Sequence, residues 1–165
     1  MFLIPNTLYV QNLEAIIATL LIGIIYYHNF DKEFHKKSIV VFTVVCTIIT
    51  ITSYKSSAVS STSLSVFRAF SIVISLAYFN KLLTDMRVKN IVKHTMFWFT
   101  SGLLIYSAGT FFIMLFSGYW YQDNDKVSAA LFDKYWNVGQ YLFIFFCFLS
   151  AYGLWVSKYD KENVV

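Results

Sequence analysis

The chain has 165 residues, of which 58% are hydrophobic, 20% aromatic and only 13% charged. Soluble domains run at about 45–50% apolar and about 25% charged, so this chain lacks the charge to cover a water-facing surface. That excludes a water-soluble monomer, a disordered chain and a nucleic-acid-binding domain. The net charge of +4 carries information through where Lys and Arg fall rather than through its sum.

A transmembrane helix takes about 20 apolar residues. Five of them with short loops use nearly the whole chain, so residues 1–165 read as one all-α membrane domain, a polytopic bundle of five transmembrane helices. The first apolar run, 7–27, follows Pro5 and a capping residue at Asn6 or Thr7. No Lys or Arg precedes it, so it is expected to be a retained helix rather than a cleaved leader. The second run, 38–53, is the weakest: it is short and rich in Val, Ile and Thr, residues that resist helix in water. In lipid the backbone must be satisfied internally, and the helix follows. The third, fourth and fifth runs cover 62–83, 95–117 and 135–157, and each is long enough to cross. Between the last two, 119–135 reads as an interface-lying turn or a lid, with Val127, Leu131 and Phe132 apolar. Aromatic residues gather at the span ends, at Tyr26, Tyr27, Tyr119, Trp120, Tyr121, Tyr135, Trp136 and Trp155. Headgroup depth is where amphipathic rings settle.

Basic residues set the direction. Lys32, Lys36, Lys37, Lys81, Arg87, Lys89, Lys93, Lys158 and Lys161 fall on one side, and Lys55, Lys126 and Lys134 on the other. The positive-inside bias then puts the N-terminus outside and the C-terminus in the cytoplasm. The expected location is a bacterial cytoplasmic (inner) membrane. A four-span reading without 38–53 would split the two most basic loops across the bilayer.

Ionisable groups inside spans are costly and mark function by default. Two stand out, Glu14 and Arg68. Each lies about six residues into a helix running inward, or about 9 Å of rise, so they share a depth and are expected to pair. One reading is a structural ion pair or snorkelling to headgroups. The other is an outward-facing polar pocket for a ligand or lipid headgroup. Gln11 lies one turn from Glu14, Ser71 lies on the Arg68 face, and Asn137 and Gln140 lie near the outer end of the fifth helix. The candidate cluster is therefore Glu14, Arg68, Gln11, Ser71, Gln140 and Asn137. Ser101, Gly102, Ala108 and Gly109 would let a neighbouring helix approach closely. Cys46 and Cys147 are expected to pack as small buried hydrophobes without a disulfide.

The catalytic inventory is thin. No HExxH, GxSxG, P-loop or GxGxxG motif is present. His28, His35 and His94 sit at or beyond span ends at spacings that make no metal site. Neither an enzyme activity, a metal nor a cofactor is expected.

The stretch KHTMFWFTSGLLIYSAGTFFIMLFSGYW, Lys93 to Trp120, resembles a segment of small multi-span membrane proteins of Bacteroidetes. It has an aromatic pair, a small Ser-Gly step, a Leu-Leu-x-Tyr and a Gly. The runs around Glu14 and Arg68, and the final YWNVGQYLFIFFCFLSAYGLWVSK, resemble other helices of that family. The resemblance implies a helical fold like the membrane sensor regions of histidine kinases, with no activity attached. Where that pattern often has an acid three places after the arginine, this chain has Ser71, which leaves Arg68 more dependent on Glu14.

Three functions stay open at this point. The first is a sensing or accessory module that binds a small ligand, a lipid or a partner's helices and signals to a membrane or cytoplasmic protein. The second is a subunit of a homo-oligomeric pore or transporter. The third is a lipid enzyme, which has only Glu14 and peripheral histidines for acid–base work. The lipid bilayer is a partner in all three, and nucleic acid in none.

Overall fold

The structure, a computed structural model, describes residues 8–54, 60–85, 90–122 and 126–159. Every regular element among them is helical. The order is α1 (Leu8–Asn29), α2 (Glu33–Thr52), α3 (Ser61–Asp85), α4 (Thr95–Gln122) and α5 (Lys126–Val156), with short 3-10 turns at Ile91–Lys93 and Ser157–Tyr159. Among the described residues, four helices are long and apolar enough to cross a membrane: Glu33–Thr52, Ser61–Thr84, Thr95–Ser117 and Lys134–Val156. The protein is thus a multi-pass membrane protein built as a helical bundle.

Helix boundaries differ from the sequence reading at two places. The expected second run begins at 38, but α2 begins at Glu33. A carboxylate in a first turn is favoured by the helix dipole, and Glu33 sits there. That added turn brings α2 to 20 residues, so the weakest run in the sequence is one of the four spans. The 119–135 segment was expected to lie in the interface or act as a lid. Instead α4 continues to Gln122 and α5 starts at Lys126, so helix takes up most of that segment. The side chains of 118–133 lie outside the described residues.

Packing runs in chain order. α1, α2 and α3 pack on one another, α4 packs broadly on α3, and α5 packs broadly on α4. The most deeply buried large side chains, Tyr26, Phe70, Ile74 and Leu103, come from α1, α3 and α4. Polar side chains are also inside: Thr19, Ser63, Ser71, Ser75, Thr100, Ser107 and Thr110 are fully buried. Several return their hydroxyl to their own helix, as Thr19 to the Ala15 carbonyl at 2.7 Å, Ser71 to Phe67 at 2.9 Å and Thr110 to Tyr106 at 2.7 Å. Small hydroxyl residues at seams are how helices approach closely where solvent supplies no hydrophobic drive.

Glycines set two of the crossings. A Cβ at Gly23 would lie 2.5 Å from the Thr43 side chain, so α1 and α2 are in direct contact there. Along the α4–α5 seam, Gly102 faces Phe146 and Leu149, Gly109 faces Leu142, and Gly153 faces the Thr95 carbonyl at 3.0 Å. Gly102 and Gly109 therefore serve packing within the chain. α5 keeps one face on α4 and turns the rest outward: only 6% of its span window is buried. That corrects the expectation for Cys147, which is exposed, while Cys46 is buried; both are free thiols.

Candidate functional site

Arg68 reaches the interior by its place on α3, the helix that packs on α1, α2 and α4 together. Its side chain is only 6% exposed. The guanidinium lies 4.1 Å from the centre of the Tyr106 ring and 4.8 Å from that of Phe67, so aromatic faces cover it. Its Nη2 donates to the Tyr106 hydroxyl at 2.6 Å. Its Nε is buried and has no hydrogen-bond partner.

A cavity of about 200 Å³ opens beside this group. α3 and α4 form its floor with Leu64, Phe67, Arg68, Tyr106, Thr110 and Met114. α1 supplies one wall with Glu14 and Ala15, and α5 the other with Trp136, Gly139, Gln140 and Phe143. α1 and α5 are not among the packed helix pairs, so the cavity is a cleft between two helices that barely meet. The α5 wall has room at Gly139, where a Cβ would meet only Thr110 Cγ2, at 3.6 Å.

The expected cluster comes together in part. Glu14, Arg68 and Gln140 all line the cavity. Glu14 and Gln140 are exposed at its rim, whereas Arg68 is at its base. Glu14 and Arg68 lie about 9–11 Å of helical rise from the starts of α1 and α3, and Gln140 about 9 Å from Lys134, where the α5 span begins. The expected direct pairing of Glu14 with Arg68 is not what the geometry gives. Among the described residues the ion pair formed is Lys81 with Asp31, at 3.1 Å, and the Tyr106 hydroxyl is what Arg68 reaches. Ser71 is fully buried and bonds its own helix, outside the cavity lining. Asn137 is exposed on α5 and is not in the lining either. Gln11 is on α1, and its side chain lies outside the described residues.

Sequence reasoning missed Tyr106, Trp136 and Asn12. Tyr106 had a signal: it lies near the middle of 95–117, away from the interfacial depth where membrane tyrosines gather. A ring with a hydroxyl at that depth needs a polar neighbour. Trp136 was assigned to the interfacial belt alone. Asn12 is fully buried, and its Oδ1 accepts from the Ser60 backbone N–H at 3.0 Å. It thereby fixes the start of α3 against α1.

At the opposite end a second polar system joins the helices. The Tyr26 hydroxyl donates to Thr100 Oγ1 at 3.0 Å and lies 3.4 Å from Ser75 Oγ. Tyr78 and His94 share a hydrogen bond of 2.7 Å. Lys81 bonds the Asn29 carbonyl, pairs with Asp31 and lies 5.3 Å from the Phe30 ring centre. These bonds are satisfied within the chain and latch the α1–α2 turn to α3. Among the described residues, no group of three or more His, Cys, Asp or Glu comes together to hold a metal ion.

Compared with family models, with curated proteins and with solved structures, the chain matches none.

Proposed function

We propose that this protein is a non-enzymatic sensing or accessory module of a bacterial inner membrane. In this reading α1 is a fifth span, with the N-terminus outside and the C-terminus in the cytoplasm. The α1–α5 cleft takes up a small ligand or a lipid headgroup, and the resulting helix shift passes to a membrane or cytoplasmic protein partner. The observation that carries this reading is a positive charge, 6% exposed, held at the base of a cavity. An incompletely partnered charge inside a membrane bundle costs several kcal/mol, a cost that binding a counter-group offsets.

The walls supply a means of output. α5 lines the cleft through Gly139 and Gln140 and closes on α4 at Gly153, where the Thr95 carbonyl and Trp98 leave no room for a Cβ. The two points are 14 residues apart, or about 20 Å of rise. A group wedged between α1 and α5 would act on α5, whose seam with α4 is close at Leu142 as well as at Gly153.

The pore reading has less support. Ser63, Ser71, Ser75, Ser107 and Thr110 are fully buried within one chain, which removes them as the lining of a pore between copies. The enzyme reading has one carboxylate at the cavity, Glu14, and no paired acid or base.

The test uses the full chain in nanodiscs of bacterial polar lipid, released into native mass spectrometry. The wild type is expected to retain a bound molecule, and both Arg68→Gln and Gly139→Leu are expected to lose it. Equal retention in all three would overturn the assignment of the cleft as a binding site.

A further inference from the structure

The cavity carries one charge of each sign, and they differ in setting. Arg68 is at its base, buried, with Nε unpartnered. Glu14 is at its rim and exposed. A simple anion seated on Arg68 would have the Glu14 carboxylate beside it. A simple cation near Glu14 would face the guanidinium. A ligand carrying both charges meets neither penalty, provided its negative end points inward.

The remaining surfaces suit that orientation. Phe67 and Tyr106 cover the guanidinium, and Tyr106 already takes one Nη2 donor. Arg68 lines the cavity, and a guanidinium is matched to the oxygens of a phosphate or carboxylate. At the rim, Glu14 and the Gln140 carbonyl are acceptors, and Trp136 lines the same wall as an aromatic neighbour for a cation. The volume of about 200 Å³ holds a headgroup and not an acyl chain, and the gap between α1 and α5 leaves a chain free to remain in the bilayer.

We infer that the cleft binds a zwitterion, with an anionic oxyacid group against Arg68 and a primary ammonium among Glu14, Gln140 and Trp136. This rests on the cleft being a binding site, as proposed above, and adds the chemistry of what binds. The same chemistry is offered by an aminophospholipid headgroup and by free phosphoethanolamine.

The full chain in detergent is titrated with phosphatidylethanolamine and with phosphatidylglycerol of identical acyl chains, and binding is read by native mass spectrometry. The wild type is expected to prefer phosphatidylethanolamine by roughly tenfold, the scale of one desolvated charge-assisted contact. Glu14→Gln and Trp136→Leu, both at the rim, are expected to reduce that preference about fivefold or more while phosphatidylglycerol binding persists. Arg68→Gln is expected to weaken both lipids. Free phosphoethanolamine that displaces the lipid assigns the site to a soluble zwitterion, and failure to displace assigns it to the bilayer lipid; each supports the inference. Phosphatidylglycerol binding as tightly as phosphatidylethanolamine, or a preference untouched by Glu14→Gln, overturns the zwitterion while leaving the site. Binding of both lipids unchanged in Arg68→Gln overturns the site itself.

Discussion

Arg68 is the residue whose setting departs furthest from what its chemistry prefers. Its charge is inside the bundle, and the acceptor it reaches among the described residues is a neutral hydroxyl, that of Tyr106. Hydrogen bonds to charged groups contribute about 1.5–3 kcal/mol. Tyr106→Phe is therefore expected to lower stability by about that amount, read by equilibrium unfolding in bicelles. A change well under 1 kcal/mol would mean that the guanidinium finds another acceptor. Asn12 gives a second residue-scale test. It is the partner of the Ser60 N–H, so Asn12→Ala leaves a buried donor unpaired and costs about 1–3 kcal/mol, by the same measurement. At the other end, Lys81 combines an ion pair, a backbone bond and a ring contact, while Asp31 is 55% exposed. Lys81→Met is expected to destabilise more than Asp31→Asn, since exposed ion pairs alone contribute about 0–1 kcal/mol.

The helices differ in how their partners hold them. α3 is central, whereas α5 leans on α4 and exposes Tyr141 and Phe148 at 72% and 70%. In a bilayer those rings face lipid tails. The α4–α5 seam depends on glycine at particular depths, and the depths are not equivalent. At Gly153 a Cβ meets backbone oxygen at 3.0 Å and Trp98 Cβ at 3.1 Å. At Gly139 it meets only a methyl at 3.6 Å. Gly→Ala gains up to about 1 kcal/mol of helix propensity, which the Gly153 contacts oppose. Gly139→Ala is expected to be neutral or stabilising, and Gly153→Ala destabilising, in a thermal unfolding comparison of the two variants. The same order of effects reversed would mean that the seam is not set by close approach at Gly153.

At the scale of the whole molecule, the distribution of Lys and Arg carries the orientation. In the proposed five-span topology nine basic residues fall on one side and three on the other, the arrangement the positive-inside bias favours. In a cysteine-free background, Lys134→Cys is expected to react with an impermeant maleimide on intact cells, and Lys36→Cys only after the membrane is opened. The converse pattern would invert the bundle, and labelling of both from outside would remove one of α2, α3 or α4 as a span. The ordering of polar chemistry along the bundle follows the same axis. The Arg68 cleft lies toward the end where α1, α3 and α5 begin, and the Tyr26 and Tyr78 hydrogen bonds lie toward the other. One end has the Arg68 cavity, and the other has a smaller cavity of about 160 Å³ beside the Lys81–Asp31 pair.

Much of this was legible in the residues. Scarce charge and long apolar runs specify membrane helices, because lipid leaves the backbone no other solution. Glu14, Arg68 and Gln140 could be assigned to one depth from rise per residue alone. What a one-dimensional reading lacks is rotation about each helix and the choice of neighbour. Ser71 and Asn137 were at the right depth, but Ser71 turns into the bundle interior and Asn137 outward. Cys147 lies in an apolar run, and its exposure follows from α5 being an outer helix. The amino-acid sequence by itself determined that this is a helical membrane protein, since hydropathy and spacing are local, and it singled out Glu14 and Arg68 as the ionisable groups within its apolar runs. Only the tertiary structure decided that Tyr106, not Glu14, takes the arginine's proton donor and that α1 and α5 leave a cleft beside it. Those outcomes depend on helix rotation and on which faces meet, which are properties of the packed bundle.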